Sequence, residues 1–216
     1  MIYEVEDTIR DVRIALDLNN TSEPLLSEND IDTLTLDEII QKNLPIGARI
    51  VHVNAPRHLL DSGKAFGGTI GWTGEIGKGY GVIHLPDDFL RLVTFQMSDW
   101  SYPITEPITD SMPIYRMQHS RYAGIRGNPQ KPVVAITQQP VGQVLEFYSC
   151  KAGESVTLRR ARYIPIPRIK DGGIELCEKL YDATIKYTAY LTALAIGNTT
   201  QAESLLTVSN ALIDNV

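Results

Sequence analysis

The sequence predicts an α+β fold, an α-helical bundle formed by N- and C-terminal helices with an inserted antiparallel β module. Three observations carry it. Apolar residues recur at three- and four-residue spacing near both ends of the chain. The middle is rich in glycine, proline, and alternating or β-branched runs. The 216 residues, 43% apolar and 21% charged, suffice to bury a core. The predicted division assigns 1–65 and 171–216 to the bundle and 66–170 to the β-rich module.

Ile2, Val5, Ile9, Val12 and Leu16 form one stripe of a first amphipathic helix over about residues 2–18. A polar link follows, and Ser27-Glu28-Asn29-Asp30 reads as the start of a short helical turn. Thr35-Leu36-Asp37-Glu38 has the form of a capping box, so a second helix begins there. Pro45 falls inside its pattern, which leaves open one kinked helix or two short ones meeting at that residue.

Seven glycines lie between positions 67 and 81. Strands are predicted over 81–85, 90–97, 131–136, 144–148 and 156–164, with a helical interruption at 112–118. Leu176, Leu180, Ala183, Tyr187, Leu191 and Leu194 then mark a late helix, which Gly197 ends as a left-handed cap. A final helix over about 200–214 carries Leu205, Leu206, Val208, Leu212 and Ile213, with only Glu203 and Asp214 charged. A terminal helix so apolar finds a partner, in its own bundle or in another chain.

Composition narrows the function classes. No stretch approaches the roughly 20 unbroken apolar residues of a spanning helix, so no membrane role is expected. The acidic start lacks the basic and apolar regions of a secretory signal, which predicts a chain kept in a cytoplasm. Cys150 and Cys177 fit neither a disulfide framework nor a zinc spacing, and are expected to be reduced and buried. In the glycine-rich run Lys78 is followed by Gly79 rather than Ser or Thr, so it is no phosphate loop. His52, His58, His84 and His119 are scattered, and no Gly-x-Ser-x-Gly elbow exists. The sequence therefore names no catalytic residue, no metal ligand and no cofactor.

The net charge of −6 conceals a polarity. Residues 1–105 hold 8 Lys/Arg against 16 Asp/Glu, residues 106–170 hold 10 against 4, and residues 171–216 hold 2 against 6. A basic middle between acidic ends suits contacts between copies of the chain. Within the middle, Arg159, Arg160 and Arg162 lie in one predicted strand, whose alternation sends Arg160 and Arg162 to one face and Arg159 to the other. They are the candidate inter-subunit charges. Trp72, Trp100 and the tyrosines of the β module offer an alternative, a ligand- or carbohydrate-binding module built on aromatic loops.

This layout resembles the head-to-tail connector proteins of tailed bacteriophages, the portal adaptors and tail-tubular-A-like ring proteins, and is similar also to neck-ring proteins of the crAss-like group. The residues that carry the resemblance are the helix end Ala48-Arg49-Ile50-Val51-His52-Val53-Asn54-Ala55-Pro56, the strand-turn-strand Leu85-Pro86-Asp87-Asp88-Phe89-Leu90-Arg91-Leu92-Val93, and the hairpin from Cys177 through Leu212. The resemblance implies a structural virion protein of the neck, assembled in the host cytoplasm. It would form a homo-oligomeric ring, commonly of twelve copies, beneath the portal protein and against tail or further neck proteins. DNA would pass through its lumen, and it would catalyse nothing. In such adaptors the C-terminal region often engages the portal. Here that region is the final helix, with Leu205, Leu206, Val208, Leu212 and Ile213.

Overall fold

A computed structural model describes residues 1–16, 35–73, 80–120, 122, 125–140, 142–150 and 155–214. The chain divides into two compact units, one of Met1–Asp61 with Ile166–Val216 and one of Ser62–Pro165. The described residues form five α-helices and eleven strands in three sheets. The expected architecture, a helical bundle carrying an antiparallel β module, is not what the chain adopts. The terminal unit contains a sheet of its own, with strand order β1 (Ile2–Glu4), β11 (Gly173–Glu175), β10 (Ile169–Lys170). The middle unit holds two sheets, and in one of them β6 (Ile108–Thr109) runs parallel to β7 (Val134–Gln139). Helices and strands are thus mixed where segregation was expected, because strands of two or three residues leave no periodicity to read.

The correction begins at the first residues. Ile2 belongs to β1 and is 75% exposed, so the apolar stripe of the first helix starts only at Val5. In β1, Ile2, Tyr3 and Glu4 pair antiparallel with Glu175, Ile174 and Gly173. Helix α1 (Val5–Ala15) follows directly. The turn expected at 27–30 lies outside the described residues.

Helix α2 (Leu36–Asn54) opens with the capping box read from the sequence: Thr35 Oγ1 accepts from the Glu38 amide, and the Glu38 carboxylate accepts from the Thr35 amide. It runs through Pro45 as one helix. The missing proline N–H frees the Gln41 carbonyl, and Gln41 is exposed, where water can take the vacant bond. α2 packs on α4 (Tyr181–Ala195), and so do α1 and α5 (Thr199–Asp214). α4 accommodates three neighbours because its buried positions are mostly small: Ala183, Thr184, Thr188, Ala189, Thr192 and Ala193. A Cβ on Gly47 of α2 would lie 2.8 Å from Thr188 Oγ1, so glycine sets how closely those helices approach. Gly197 ends α4 at φ +82°, as its position predicts.

His52 ties the end of α2 to the chain before α4. Its Nδ1 lies 2.6 Å from the Ala48 carbonyl and its Nε2 accepts the Cys177 amide at 3.0 Å, an arrangement that requires the neutral ring with the proton on Nδ1. Burial holds its pKa below the usual 6.5, outweighing the opposing pull of the Ala48 carbonyl. Below about pH 6.5 the unfolded chain takes up a proton that the folded ring resists, so this residue's contribution to stability is full above that pH and falls as the pH drops through it. Urea titrations at pH 7 and pH 5 should show a loss of stability on acidification that is smaller in His52→Gln; an unchanged loss would dismiss the assignment.

In the middle unit one sheet has the order β2 (Lys64–Ala65), β9 (Leu158–Pro165), β5 (Phe89–Met97). The other has the order β3 (Gly71–Thr73), β4 (Tyr80–His84), β8 (Gly142–Phe147), β7, β6. Both contribute to one core, in which Phe66, Phe89, Phe95 and Tyr163 meet Ile83, Val134, Leu145, Phe147 and Trp100. Between Phe95 and Trp100 the ring centroids lie 5.6 Å apart, and between Phe95 and Phe147 5.5 Å. Gly81 is required by this packing: a Cβ there would come within 2.3 Å of the Phe147 ring, which is fully buried. Gly81→Ala should lower stability by about 1–3 kcal/mol, as overpacked cores do, read as a fall in melting temperature of the full chain.

The short helix α3 (Pro113–Met117) interrupts this unit near the position foreseen. Three of the five longer strands start or end two or three residues from the predicted limits, and the shortest strands were not foreseen. No helix among the described residues is long and apolar enough to cross a membrane. Both cysteines are buried and free, and burial pushes the Cys150 thiol up to about 12.

Candidate functional site

The sheet β3-β4-β8-β7-β6 has two unlike faces. Alternation turns Ile83, Val134, Leu145 and Phe147 into the core, and turns Tyr80, Val82, Thr137, Gln139, Val144, Glu146 and Tyr148 to the opposite side. Glu146 is the only charged residue between 132 and 150, and it is 3% exposed. A carboxylate so buried must be hydrogen-bonded. Its Oε1 accepts from Thr137 Oγ1 at 2.9 Å and from Gln139 Nε2 at 3.2 Å. Its Oε2 accepts from Tyr115 OH at 3.0 Å and from the Tyr148 hydroxyl.

Tyr115 comes from α3, so this network fastens that helix to the sheet. The rings around it reinforce the contact. Tyr80 and Tyr148 stack with centroids 4.9 Å apart, and His119 lies edge-on to Tyr148 at 5.5 Å and to Tyr115 at 5.3 Å. Tyr115 and His119 are four residues apart and therefore project from the same side of the helical segment. Burial, and then the bond to Glu146, raise the Tyr148 hydroxyl far above its usual pKa, and burial also raises Tyr115. Both hydroxyls stay protonated and donate. With four donors, two on each oxygen, the Glu146 carboxylate has its acceptor positions filled from within the chain. The arrangement is one of support rather than of a base waiting for a substrate proton.

What it supports is unusual. None of the five residues of α3 is buried. Ile114 and Met117, one turn apart, are exposed, Met117 to 50%. Met112, Tyr122 and Ile125 beside them are exposed as well, Tyr122 to 72%. Gln118 braces the segment: its Nε2 donates to the Ile114 carbonyl and its Oε1 accepts the Gly127 amide at 2.8 Å. The chain thus spends a buried polar network on holding an apolar surface in water, and that surface is the candidate functional site.

The residues singled out in the sequence fall elsewhere. On α5, Leu205 and Ile213 are buried together with Ala202 and Ser209, and Ser209 Oγ donates to the Ala183 carbonyl of α4. The final helix therefore packs within its own unit, which withdraws Leu205 and Ile213 from any partner. Leu206 and Leu212 are half-buried, and Val208 is exposed. Arg159 and Arg160 are both exposed, against the expected alternation, because Gln96 pairs with Arg160 and Met97 with Leu158, leaving Arg159 as the extra residue of a bulge. Arg162 is held inside the chain, donating to the Ser62 and Gly63 carbonyls at 2.7 and 2.8 Å. Trp100 is buried against Phe95 and Phe147, and Trp72 packs edge-on to Phe147, so these two rings serve the core rather than an aromatic binding row.

Glu146, Tyr115 and His119 were not foreseen as a group. The available signals were a lone carboxylate in an otherwise uncharged double strand and a Tyr/His pair at helical spacing. Their meeting depends on where α3 settles, which no local pattern states. Among the described residues no group of three or more His, Cys, Asp and Glu side chains could hold a metal ion.

No protein-family model matches the chain, and a search of curated proteins finds no match.

Tyr115→Phe should cost about 1–2 kcal/mol by deleting one hydrogen bond to the buried carboxylate. Amide hydrogen exchange across 113–119 should quicken while exchange in α4 stays unchanged. Equal protection of α3 in both proteins would refute the fastening role.

Proposed function

We propose that the chain is a structural subunit of the neck of a tailed bacteriophage, one copy of a homo-oligomeric connector ring beneath the portal that continues the DNA channel toward the tail. Its work in this reading is assembly, without catalysis. The observation that carries it is the partition of charge between the two compact units. The terminal unit holds 9 Lys/Arg against 18 Asp/Glu, a net −9, and the middle unit holds 11 against 8, a net +3.

Opposite charge on two bodies of one chain suits heterologous, head-to-tail contacts, and such contacts close into rings when the rotation permits. The sequence resemblance to head-to-tail connectors supplies the setting, with the portal and further tail or neck proteins as partners. The braced apolar surface on α3 supports the same reading, since a surface of that kind marks an interaction site.

Mixing the purified chain with portal assemblies should yield closed rings bound to the portal, visible by electron microscopy and countable by native mass spectrometry. Assembly should weaken as salt rises, because the attraction is between exposed charges. A chain that stays monomeric in the presence of portal and leaves it undecorated would end the proposal.

A further inference from the structure

The segment around α3 has a charge pattern that specifies its partner more closely. Residues 111–131 carry four Lys/Arg, at 116, 121, 126 and 131, and no Asp or Glu. Arg116 and Lys131 are exposed, and so are Met112, Ile114, Met117, Tyr122 and Ile125. The surface is therefore apolar with a basic surround. It is held ready by Tyr115 on Glu146 and by Gln118 on Gly127, and a braced surface loses little conformational freedom on docking.

A complementary surface exists on the same chain. At its start Glu4, Glu6 and Asp7 are exposed beside Ile2, which is 75% exposed, and Ile14 is exposed further along α1. That surface is apolar with an acidic surround, within a unit of net charge −9. Resting on the assembly role proposed above, we infer that the α3 surface of one copy docks on the acidic N-terminal segment, residues 1–16, of a second copy. Apolar side chains would lie against Ile2 and Ile14, with Arg116 facing the carboxylates of Glu4, Glu6 and Asp7. The contact is heterologous: one patch meets a different patch, so each copy offers both halves and the series propagates from copy to copy.

The test uses the full chain, alone and with portal. A photo-cross-linker, Met117→p-benzoylphenylalanine, should join to residues 1–16 of another copy, read by mass spectrometry of mixed light- and heavy-isotope chains. Arg116→Glu should weaken association about tenfold or more in sedimentation at low salt, and mixing with Glu6→Lys copies should restore it. Ile114→Asp with Met117→Asp should weaken it at least as much while leaving the thermal unfolding of the chain unchanged, since both side chains are exposed. Rings that form with portal, yet survive these substitutions and give no cross-link to 1–16, would overturn this inference and leave the assembly role standing. A cross-link from Met117 to the portal or to another protein would overturn the choice of a second copy. No association and no cross-link under any condition would overturn both.

Discussion

Both units depend on closing a long stretch of chain, and the closure is achieved separately in each. In the middle unit Lys64 pairs with Tyr163 and Ala65 with Arg162, so a segment of about a hundred residues begins and ends on adjacent strands. Closing so long a loop costs several kcal/mol of chain entropy, which grows only slowly with length and must be offset by contacts that form together. Arg162 supplies some of them, donating to the carbonyls of Ser62 and Gly63, where Gly63 sits at φ +66° close to the Tyr163 carbonyl. In the terminal unit β1 pairs with β11, and the Asp61 amide reaches Cys177 Sγ at 3.4 Å. Each unit thereby becomes a body with its own core, although the chain builds the terminal one from two distant segments.

Within those bodies, polar groups are buried where they locate an element rather than where they add most stability. His52 joins the end of α2 to Cys177 with one ring and two bonds. Glu146 joins α3 to a sheet through a tyrosine hydroxyl, at the expense of desolvating a carboxylate. The second case is the more telling. An apolar residue at 146 would bury more cheaply, but it would not orient Tyr115, and α3 has no buried side chain with which to orient itself. A helix of five residues does not form on its own account either. The network explains how so small a segment keeps one arrangement while its apolar side chains face water.

The candidate surface was only partly legible in the sequence. The helical tendency near 112–118 and the positive charge of the middle were readable, because both are local or additive properties. The use made of them was not. The final helix drew attention for its apolar residues, but Leu205 and Ile213 turn out to serve the packing on α4. The arginines of β9 drew attention for their clustering, yet a bulge re-aims Arg159 and Arg160, and Arg162 is consumed in closing the loop. Apolar content marks a helix that must be covered without saying by what, and clustering in sequence does not say which hydrogen bonds the backbone will offer.

By itself the sequence determined the long elements and their punctuation: the capping box at Thr35, the glycine that ends α4, the strands on either side of Pro86, and the acidic ends around a basic middle. These follow from interactions within a few residues, where spacing and side-chain type are sufficient. Only the tertiary structure decided that Ile2–Glu4 would pair with Gly173–Glu175, that the terminal unit would be a mixture of helix and sheet, that Thr109 would run parallel to Ile136, and that Glu146 would meet Tyr115. Those choices are settled by which distant segments bury surface and satisfy hydrogen bonds together. For two- and three-residue strands the partner contributes nearly all of the stabilisation.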